Sequence, residues 1–338
     1  MSAHPPILSV VVPCFNEEEV LPETARRLDE LFHRLIDEGM VDPQSRVYFV
    51  DDGSRDLTWS LIGGLHRGNP RFGGIKLSRN RGHQNALLAG LLSVPGDMVL
   101  SIDADLQDDL TAIERMLQAA AGGADIVFGV RSDRSSDTFF KRMTAQGYYS
   151  LIGKLGVEIV SNHADFRLMS RRAIEALRDY NETNLFLRAL IIQLGFATAI
   201  VTYERSERFA GTSKYPLRKM LSLAVQGVTS FSIQPLRAIT WLGLAVSIVS
   251  FLLGIWALLS ALTLGSTVSG WASTVIPIYM ICGVQMLCLG IIGEYIGKIY
   301  IETKRRPRFH IEAALGGAEV YAGGRLDLAD KPLTRVES

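Results

Sequence analysis

The sequence has no excess of charge of either sign and only three cysteines. Its 35 Lys and Arg residues balance 35 Asp and Glu residues, so no nucleic-acid partner is expected from net charge. Cys14, Cys282 and Cys288 show neither a disulfide pattern nor a zinc-ligand spacing. A G-x-x-x-x-G-K-S/T loop is absent, and no G-x-G-x-x-G follows the first predicted strand, which disfavours a P-loop NTPase and a dinucleotide-binding fold.

Charged side chains are also missing from one long stretch near the C-terminus. No Asp, Glu, Lys or Arg lies between Arg237 and Glu294, an interval long enough for two membrane spans of about 20 residues and a connection. We predict spans near Ala238–Leu262 and Thr274–Gly293, in a two-helix hairpin that covers 238–300. The alternative, a buried hairpin of a soluble protein, is disfavoured because both runs are apolar on all faces.

Basic residues flank the predicted hairpin but are absent from its connecting loop. Residues 263–273 carry no Lys or Arg, whereas basic side chains precede the first span and follow the second. The positive-inside rule therefore predicts an external loop and two cytoplasmic termini. Because the first residues lead directly into a strand, we expect no signal peptide.

A basic amphipathic segment precedes the first predicted span. Apolar residues recur along 213–237 at alternating steps of four and three, and Lys214, Arg218 and Lys219 flank this stripe. The pattern is typical of a helix that lies in the membrane interface, and the alternative is a helix packed on the soluble domain. We assign 211–237 to a juxtamembrane region and 301–338 to a cytoplasmic tail.

The first 210 residues alternate short apolar runs with helical patterns. Strands are predicted at Ile7–Val12, Val47–Val50, Gly74–Leu77, Met98–Ile102 and Ala124–Val130. Helices are predicted at Glu17–Asp37, Leu57–Leu65, Gln84–Leu92 and Leu110–Ala121. This alternation predicts a cytoplasmic α/β domain over 1–210 with a doubly wound, mostly parallel sheet.

Two aspartates follow the fourth predicted strand, one residue apart. Carboxylate oxygens are the ligands that Mg²⁺ and Mn²⁺ prefer, and open α/β sheets bind ligands beyond the carboxyl ends of their strands. Asp103 and Asp105 therefore predict a site for a divalent cation and a diphosphate. Taken without its neighbours, the motif is also compatible with two solvated aspartates in a turn.

Four strand-end motifs, in their order, resemble those of family 2 glycosyltransferases, which have the GT-A fold. The motifs are Pro13–Glu17, Asp51–Ser54, Arg79–His83 and Asp103–Gln107. Four later motifs narrow the resemblance to polyprenyl-phosphate glycosyltransferases, and they are Arg131–Ser135, Asp165–Arg171, Gly211–Tyr215 and Gly293–Tyr300. Within that group the sequence most resembles the bactoprenol glucosyltransferases of O-antigen modification and, more distantly, dolichol-phosphate mannose synthase. The resemblance covers residues 7–308.

The resemblance implies roles for the matched residues. Nucleotide binding is implied for Pro13, Phe15, Asn16, Glu17, Asp52, Lys76, Gly82, Asp103 and Ala104. Metal binding is implied for Asp103 and Asp105, with Gln107 assisting, and the cation would be Mg²⁺ or Mn²⁺. Catalytic roles are implied for Asp165, Asp105 and Arg131, and binding of the lipid phosphate for Arg205, Arg208 and Lys214.

Asp165 is the candidate base by this resemblance, but the chemistry leaves its role open. The expected acceptor is a phosphate monoester whose second pKa is about 6, so it is largely dianionic near pH 7 and hardly needs a base. Asp165 is then either a base or a group that orients the sugar or the acceptor. The structural alternatives are that Asp165 caps the N-terminus of a helix or forms an ion pair with Arg167. Solvated surface charge is the alternative for Arg131 and the three residues assigned to the lipid phosphate.

The resemblance as a whole implies an inverting glycosyltransferase of the bacterial inner membrane. It would transfer one sugar, expected to be glucose from UDP-glucose, to undecaprenyl phosphate at the cytoplasmic face. A processive polysaccharide synthase would need more spans and a Q-x-x-R-W motif, whereas Ala238 follows Gln234–Arg237 here. A non-enzymatic nucleotide-sensing scaffold is the other alternative. Gly293 and Gly297 suit close helix packing, and we expect a homo-oligomer.

Overall fold

A computed structural model describes residues 4–131, 163–183, 185–204, 234–264, 271–318, 320–322 and 325–327. These residues fall into two units. One unit combines the α/β part of the chain with the residues after 304, and the other contains two long helices.

The first five strands and four helices of the α/β unit follow one another in the predicted order, and the later ones were not predicted. Its strands are β1 (Leu8–Cys14), β2 (Arg46–Asp51), β3 (Phe72–Leu77), β4 (Met98–Ser101), β5 (Ile126–Arg131), β6 (His163–Ser170), β7 (Thr198–Tyr203) and β8 (Ile311–Leu315). Its helices are α1 (Leu21–Asp37), α2 (Thr58–Gly68), α3 (His83–Ser93), α4 (Ala112–Ala121), α5 (Arg171–Arg178) and α6 (Leu187–Gln193). A separate antiparallel pair joins β9 (Val320–Ala322) and β10 (Arg325–Asp327).

The eight strands form one sheet in the order β7-β5-β6-β4-β1-β2-β3-β8. β1 pairs in parallel with both β2 and β4, β2 pairs in parallel with β3, and only β6 and β8 run against their neighbours. The expected mostly parallel α/β sheet is therefore confirmed. Because β1 to β4 all point the same way, the polar segments that follow them emerge at one edge of the sheet.

The sheet is covered on both faces by apolar side chains. The α1 helix buries one stripe that includes Leu21, Leu28 and Leu35 against one face, as its 3.6-residue period predicts. The α3 helix is buried over most of its length, from Ala86 to Ser93, on the opposite face. Two hydrophobic clusters on either side of one sheet are what a doubly wound fold requires.

Part of the predicted tail, 301–338, pairs with the sheet of the α/β unit. Ile311–Leu315 is an edge strand that pairs antiparallel with β3, and Phe309 is buried in the α/β unit. The Tyr48 hydroxyl and Arg46 Nη1 donate to the Gly316 carbonyl at 2.9 and 2.6 Å. This strand is not evident from the sequence because the short, alanine-containing run has little intrinsic strand preference, and its partner strand supplies the hydrogen bonds that hold it.

The second unit contains α7 (Gln234–Leu264) and α8 (Trp271–Thr303), at the positions of the two predicted spans. Both helices expose large apolar side chains, among them Trp241 and Leu289. Among the described residues, one helical segment, Gly283–Thr303, is long and apolar enough to cross a membrane by length and composition. Two membrane spans, and the topology predicted for them, therefore stay predictions, and most of the juxtamembrane segment 211–237 lies outside the described residues.

Candidate active site

The loops that follow β1 and β2 are joined to each other by reciprocal hydrogen bonds. Asn16 N donates to Ser54 Oγ at 3.0 Å, and Asn16 Oδ1 accepts from Arg55 N at 2.9 Å. Glu17 N donates to Thr58 Oγ1 at 3.0 Å. Because these backbone groups bond to the neighbouring loop, α1 begins at Leu21 rather than at Glu17. The loops form a fixed rim at which the half-exposed ring of Phe15 faces solvent.

Asp52 fixes the loop that follows β3. Its Oδ1 accepts from Arg81 N at 2.7 Å and its Oδ2 from Gly82 N at 2.8 Å. Burial raises the pKa of Asp52, and the two backbone hydrogen bonds oppose that rise. Both carboxylate oxygens are thus engaged within the protein, and Asp52 shapes the rim of the site.

The turn that carries Asp103 and Asp105 is held from two sides. The Thr24 hydroxyl, buried on α1, donates to the Ala104 carbonyl at 2.9 Å. Asp105 Oδ1 accepts from Gln107 N at 3.3 Å, and Leu106 adopts a left-handed φ of 58°. A buried Leu106 with positive φ is uncommon for a bulky residue, and it reverses the chain so that Asp103 and Asp105 lie within one tight turn.

Asp103 has the properties of a metal ligand. Its Oδ1 is buried and has no hydrogen-bond partner among the described residues, and His83 Nε2 lies 3.5 Å away. Burial raises the pKa of Asp103 to about 6; His83 opposes the rise, and the carboxylates of Asp108, Asp165 and Asp105 add to it. A buried carboxylate oxygen without a partner is costly, and a divalent cation would remove that cost.

The described residues alone supply too few ligands to enclose a cation. No set of three or more His, Cys, Asp or Glu side chains among them is arranged around a common metal position. Mg²⁺ and Mn²⁺ commonly bind through one or two carboxylates and take their other ligands from water and substrate phosphates. Asp103 and Asp105, with the buried Gln107 beside them, fit that kind of site.

Asp165 lies beside this turn because β6 pairs with β4. Ser101 stands opposite Arg167 in the register, and its hydroxyl donates to the Asp165 carbonyl. The Asp165 carboxylate meets Arg167 Nη2 through Oδ1 and His83 Nε2 through Oδ2, the latter at 3.3 Å. Arg188, on α6, donates to both oxygens, each at 3.3 Å.

Two arginines and His83 therefore determine the charge state of Asp165. Burial by itself would raise the pKa of Asp165, but the hydrogen bond from His83 and the charges of Arg167 and Arg188 outweigh it and hold that pKa far below its usual range. A carboxylate of such low pKa is a weak base. Asp165 is suited to orienting cations rather than to removing a proton.

Arg131 is linked through Asp108 to the turn that carries Asp103 and Asp105, which is called the metal turn below after its predicted role. The Tyr203 hydroxyl donates to Asp108 Oδ1, Arg131 Nη2 lies 3.5 Å from the same oxygen, and Arg131 Nε donates to the Tyr203 hydroxyl at 3.2 Å. Asp108 Oδ2 is buried and has no hydrogen-bond partner among the residues that the structure describes. This arrangement brings the carboxyl ends of β5 and β7 to the turn that follows β4.

Comparison with known proteins assigns the family of this chain. The profile of Glycosyl transferase family 2 matches residues 9–178. The chain belongs to glycosyl transferase family 2. The glycosyltransferase YkoT of Bacillus subtilis (strain 168) is 50% identical over 317 residues, which cover 93% of this chain and 94% of that protein. The bactoprenol glucosyl transferase of Shigella phage SfX is 41% identical over 90% of this chain and 99% of that protein.

This family 2 glycosyltransferase is therefore an enzyme, as the strand-end motifs imply. Among solved structures, mannosyl-3-phosphoglycerate synthase from Rubrobacter xylanophilus aligns with a TM-score of 0.46 and 18% identity over 70% of this chain and 75% of that one. That similarity is too distant to bear on substrate or mechanism. The substrates follow instead from the relatives and from the site, and they are proposed below.

Several residues of the glycosyltransferase site escape sequence reasoning, and one predicted residue has another partner. His83 lies at the end of the Arg79–His83 motif, but the motif does not indicate what His83 does. Arg188, Asp108 and Tyr203 belong to no sequence motif, because their contacts are with residues from distant segments of the chain. Lys76 Nζ pairs with Glu312 of β8 at 2.9 Å, and a nucleotide contact from Lys76 stays a prediction. Arg205, Arg208 and Lys214 lie outside the described residues.

A glycine substitution tests whether nucleotide binding needs the contact between the loops that follow β2 and β3. Gly53 has a φ of 67°, and a Cβ there would lie 2.6 Å from the backbone carbonyl carbon of Arg79 and from Asn80 N. We expect Gly53→Ala to weaken UDP binding more than tenfold, because the loop held by Asp52 must move. Calorimetric titration with UDP measures this effect.

Gly39→Ala is the matched control for that substitution. Gly39 has a nearly identical φ of 68°, but nothing lies within 4 Å of its added Cβ. Both variants carry the left-handed strain of about 1 kcal/mol, so Gly39→Ala should lose some thermal stability and keep its UDP affinity. Equal UDP affinity in the two variants would show that the contact between the loops is not needed.

Proposed function

We propose that this glycosyltransferase transfers one glucose from UDP-glucose to undecaprenyl phosphate, with inversion, at the cytoplasmic face of the bacterial inner membrane. The observation that carries the proposal is the buried Asp103 Oδ1, which has no hydrogen-bond partner among the described residues, in a turn at the carboxyl ends of four parallel strands. The relatives named bactoprenol glucosyl transferase support both the sugar and the lipid acceptor.

The donor half of the site lies along the strand ends. Asp103 and Asp105, assisted by Gln107, would hold Mg²⁺ or Mn²⁺, and that cation would neutralise charge on the diphosphate as UDP leaves. The exposed ring of Phe15 offers a stacking surface for the base. The rest of the proposed nucleotide site comprises Pro13, Asn16, Glu17, Asp52, Lys76, Gly82 and Ala104.

The reaction needs no proton transfer at the acceptor. A phosphate oxygen of the acceptor dianion attacks the anomeric carbon, the bond from that carbon to the UDP oxygen breaks, and UDP leaves with the electron pair. Asp165 then acts by holding Arg167, Arg188 and His83 in place, consistent with its depressed pKa. Arg131, and with it Arg205, Arg208 and Lys214, are the proposed cations for the lipid phosphate.

Membrane attachment is part of the proposal. Helices α7 and α8 would form a hairpin with an external loop, after a juxtamembrane segment over 211–237. The described segment Gly283–Thr303 has the length and composition of a span, and the interval between Arg237 and Glu294 is free of charged residues. The hairpin would hold the catalytic domain where a soluble nucleotide sugar meets a lipid phosphate, and self-association through Gly293 and Gly297 is proposed with it.

The lipid product tests this proposal. Purified full-length protein, undecaprenyl phosphate, a divalent cation and a panel of nucleotide sugars should yield a lipid that carries one hexose, in β linkage, with UDP-glucose as the preferred donor. Mass spectrometry and glycosidase digestion read out the product. A ladder of sugars would favour a processive synthase, and no transfer from any donor would refute the proposed reaction.

A further inference from the structure

Two of the side chains that contact Asp165 reach solvent, His83 and Arg188, and of the two arginines only Arg188 does so. The Arg167 side chain is fully buried, and that of Asp165 is only 9% exposed, whereas 39% of the Arg188 side chain is exposed. A ligand that arrives from solvent can therefore contact the Arg188 guanidinium but not that of Arg167. Sequence reasoning assigns no role to Arg188.

The contact between Arg188 and Asp165 orients the guanidinium and is longer than a tight ion pair. Nε and Nη2 each lie 3.3 Å from one carboxylate oxygen, whereas tight charge-assisted pairs have distances of about 2.7–2.9 Å. The contact of Arg167 with the same carboxylate is shorter. Arg167 thus holds Asp165 from within the protein, and Asp165 presents Arg188 at the surface of the site.

The charge around Arg188 favours an anion. Arg167 and Arg188 offset two of the three negative charges of Asp103, Asp105 and Asp165, and a bound divalent cation would offset the remaining one and part of the charge of the donor diphosphate. Guanidinium groups are well suited to bind phosphate because their N–H donors match pairs of phosphate oxygens. The ligand chemistry that fits Arg188 is therefore a phosphate group.

The position of Arg188 favours the acceptor phosphate over the donor diphosphate. His83 Nε2 lies 3.5 Å from Asp103 and 3.3 Å from Asp165, so His83 and Asp165 connect the metal turn with Arg188. Leu187 N also donates to Gln84 Oε1 at 3.2 Å, which fixes the first turn of α6 next to the start of α3. Arg188 is thus adjacent to the reaction centre but separated from Asp103 by two side chains.

We propose that Arg188 binds the phosphate of the lipid acceptor and that Asp165 orients it for this purpose. The inference rests on the proposed function, because a polyprenyl phosphate is the acceptor in both. It adds a binding residue within the folded α/β unit to the cations proposed at 205–214. Arg188 would hold the phosphate beside Asp165, next to the turn that carries Asp103 and Asp105.

Binding of a short acceptor analogue tests Arg188 without turnover. Full-length protein in detergent, saturated with UDP and Mn²⁺, is titrated with farnesyl phosphate and with farnesol in a calorimeter. We expect Arg188→Gln to weaken farnesyl phosphate binding about ten- to a hundredfold, the range for loss of one charge-assisted contact, with farnesol and UDP affinities unchanged. Arg188→Lys should fall between, because lysine keeps the charge but not the fork.

Arg172→Gln is the matched control. Arg172 also forms a forked pair with an aspartate, Asp125, but at the opposite ends of the same strands, so its loss should leave all three affinities unchanged. Thermal denaturation shows whether each variant is folded.

Wild-type affinity of Arg188→Gln for farnesyl phosphate would overturn the inference, and so would a loss confined to UDP, which would place Arg188 on the donor diphosphate. If wild-type protein binds farnesyl phosphate through Arg188 but glucosylates no lipid, the proposed reaction fails and the phosphate site stands.

Discussion

Asp103→Asn should abolish most sugar transfer while the protein stays folded. The substitution keeps the size of the side chain but removes a charge from the turn that would hold the cation. Loss of one preorganised charge-stabilising group lowers turnover on the order of 10²–10³-fold, and we expect at least that loss for Asp103→Asn and Asp105→Asn. Steady-state rates with UDP-glucose and undecaprenyl phosphate measure the effect. EDTA should have the same effect on wild-type protein, and Mg²⁺ or Mn²⁺ should reverse it.

Asp109→Asn is the control for this prediction. Asp109 lies close by in the sequence, but its carboxylate accepts from Thr111 N and Oγ1 at 2.9 and 2.8 Å at the start of α4, a role that asparagine can also fill. Its rate should stay within about twofold of wild type, as expected for a conservative change of a carboxylate whose contacts are with Thr111. Full turnover of Asp103→Asn, or of wild-type protein in metal-free buffer, would refute the assignment of the metal turn.

Asp165→Asn should lower the rate about ten- to a hundredfold without changing the shape of the pH profile. The substitution removes the charge that orients Arg188, and charge-assisted hydrogen bonds of this kind contribute about 1.5–3 kcal/mol. It also leaves the fully buried Arg167 without its counter-charge, so the free energy of unfolding should fall by up to about 3–5 kcal/mol. Rates are therefore compared at a temperature at which both proteins are folded, as monitored by circular dichroism.

The pH profile distinguishes an orienting role from a base. The pKa of Asp165 is held far below its usual range, so Asp165 stays ionised throughout the working range and cannot produce a step near neutrality. At a cation concentration that keeps Asp103 ionised and metal-bound, the rate of both proteins should rise with pH through about 6, where the acceptor phosphate loses its second proton, and then level off. A completely inactive Asp165→Asn, together with a wild-type profile that follows a different group, would identify Asp165 as a true base.

The central part of the fold could be predicted from the sequence because its signals are local. Leu8–Cys14 and Met98–Ser101 are short apolar runs that end in polar clusters, and α1 has a clear apolar period. The edge strand Ile311–Leu315 could not be predicted, because its partner β3 lies more than 230 residues earlier in the chain. Its pairing depends on long-range backbone hydrogen bonds that no local pattern records.

Part of the candidate site could likewise be predicted from local motifs, and part could not. Asp103 and Asp105 stand in a recognisable motif, and the structure places them in one turn beside Asp165, as the strand order requires. The roles of His83 and Arg188 depend on contacts in space and not on spacing in the sequence. Each gains its partners only when β4, β6 and α6 come together in the fold. Asp165 forms the ion pair with Arg167 that the sequence offered as a structural alternative. Asp165 also lies at the candidate site, so the two interpretations of this residue are both correct.

We expect the strand-end carboxylates to bind the cation together with the nucleotide, since the described residues alone offer too few ligands. The most direct test is a titration of Mn²⁺, monitored by electron paramagnetic resonance, with and without UDP, on wild-type protein and on Asp103→Asn. UDP should tighten Mn²⁺ binding to wild-type protein, Mn²⁺ should tighten UDP binding by the same factor, and Asp103→Asn should lose this coupling. Equal Mn²⁺ affinity with and without UDP, or unchanged coupling in Asp103→Asn, would contradict joint binding of cation and nucleotide.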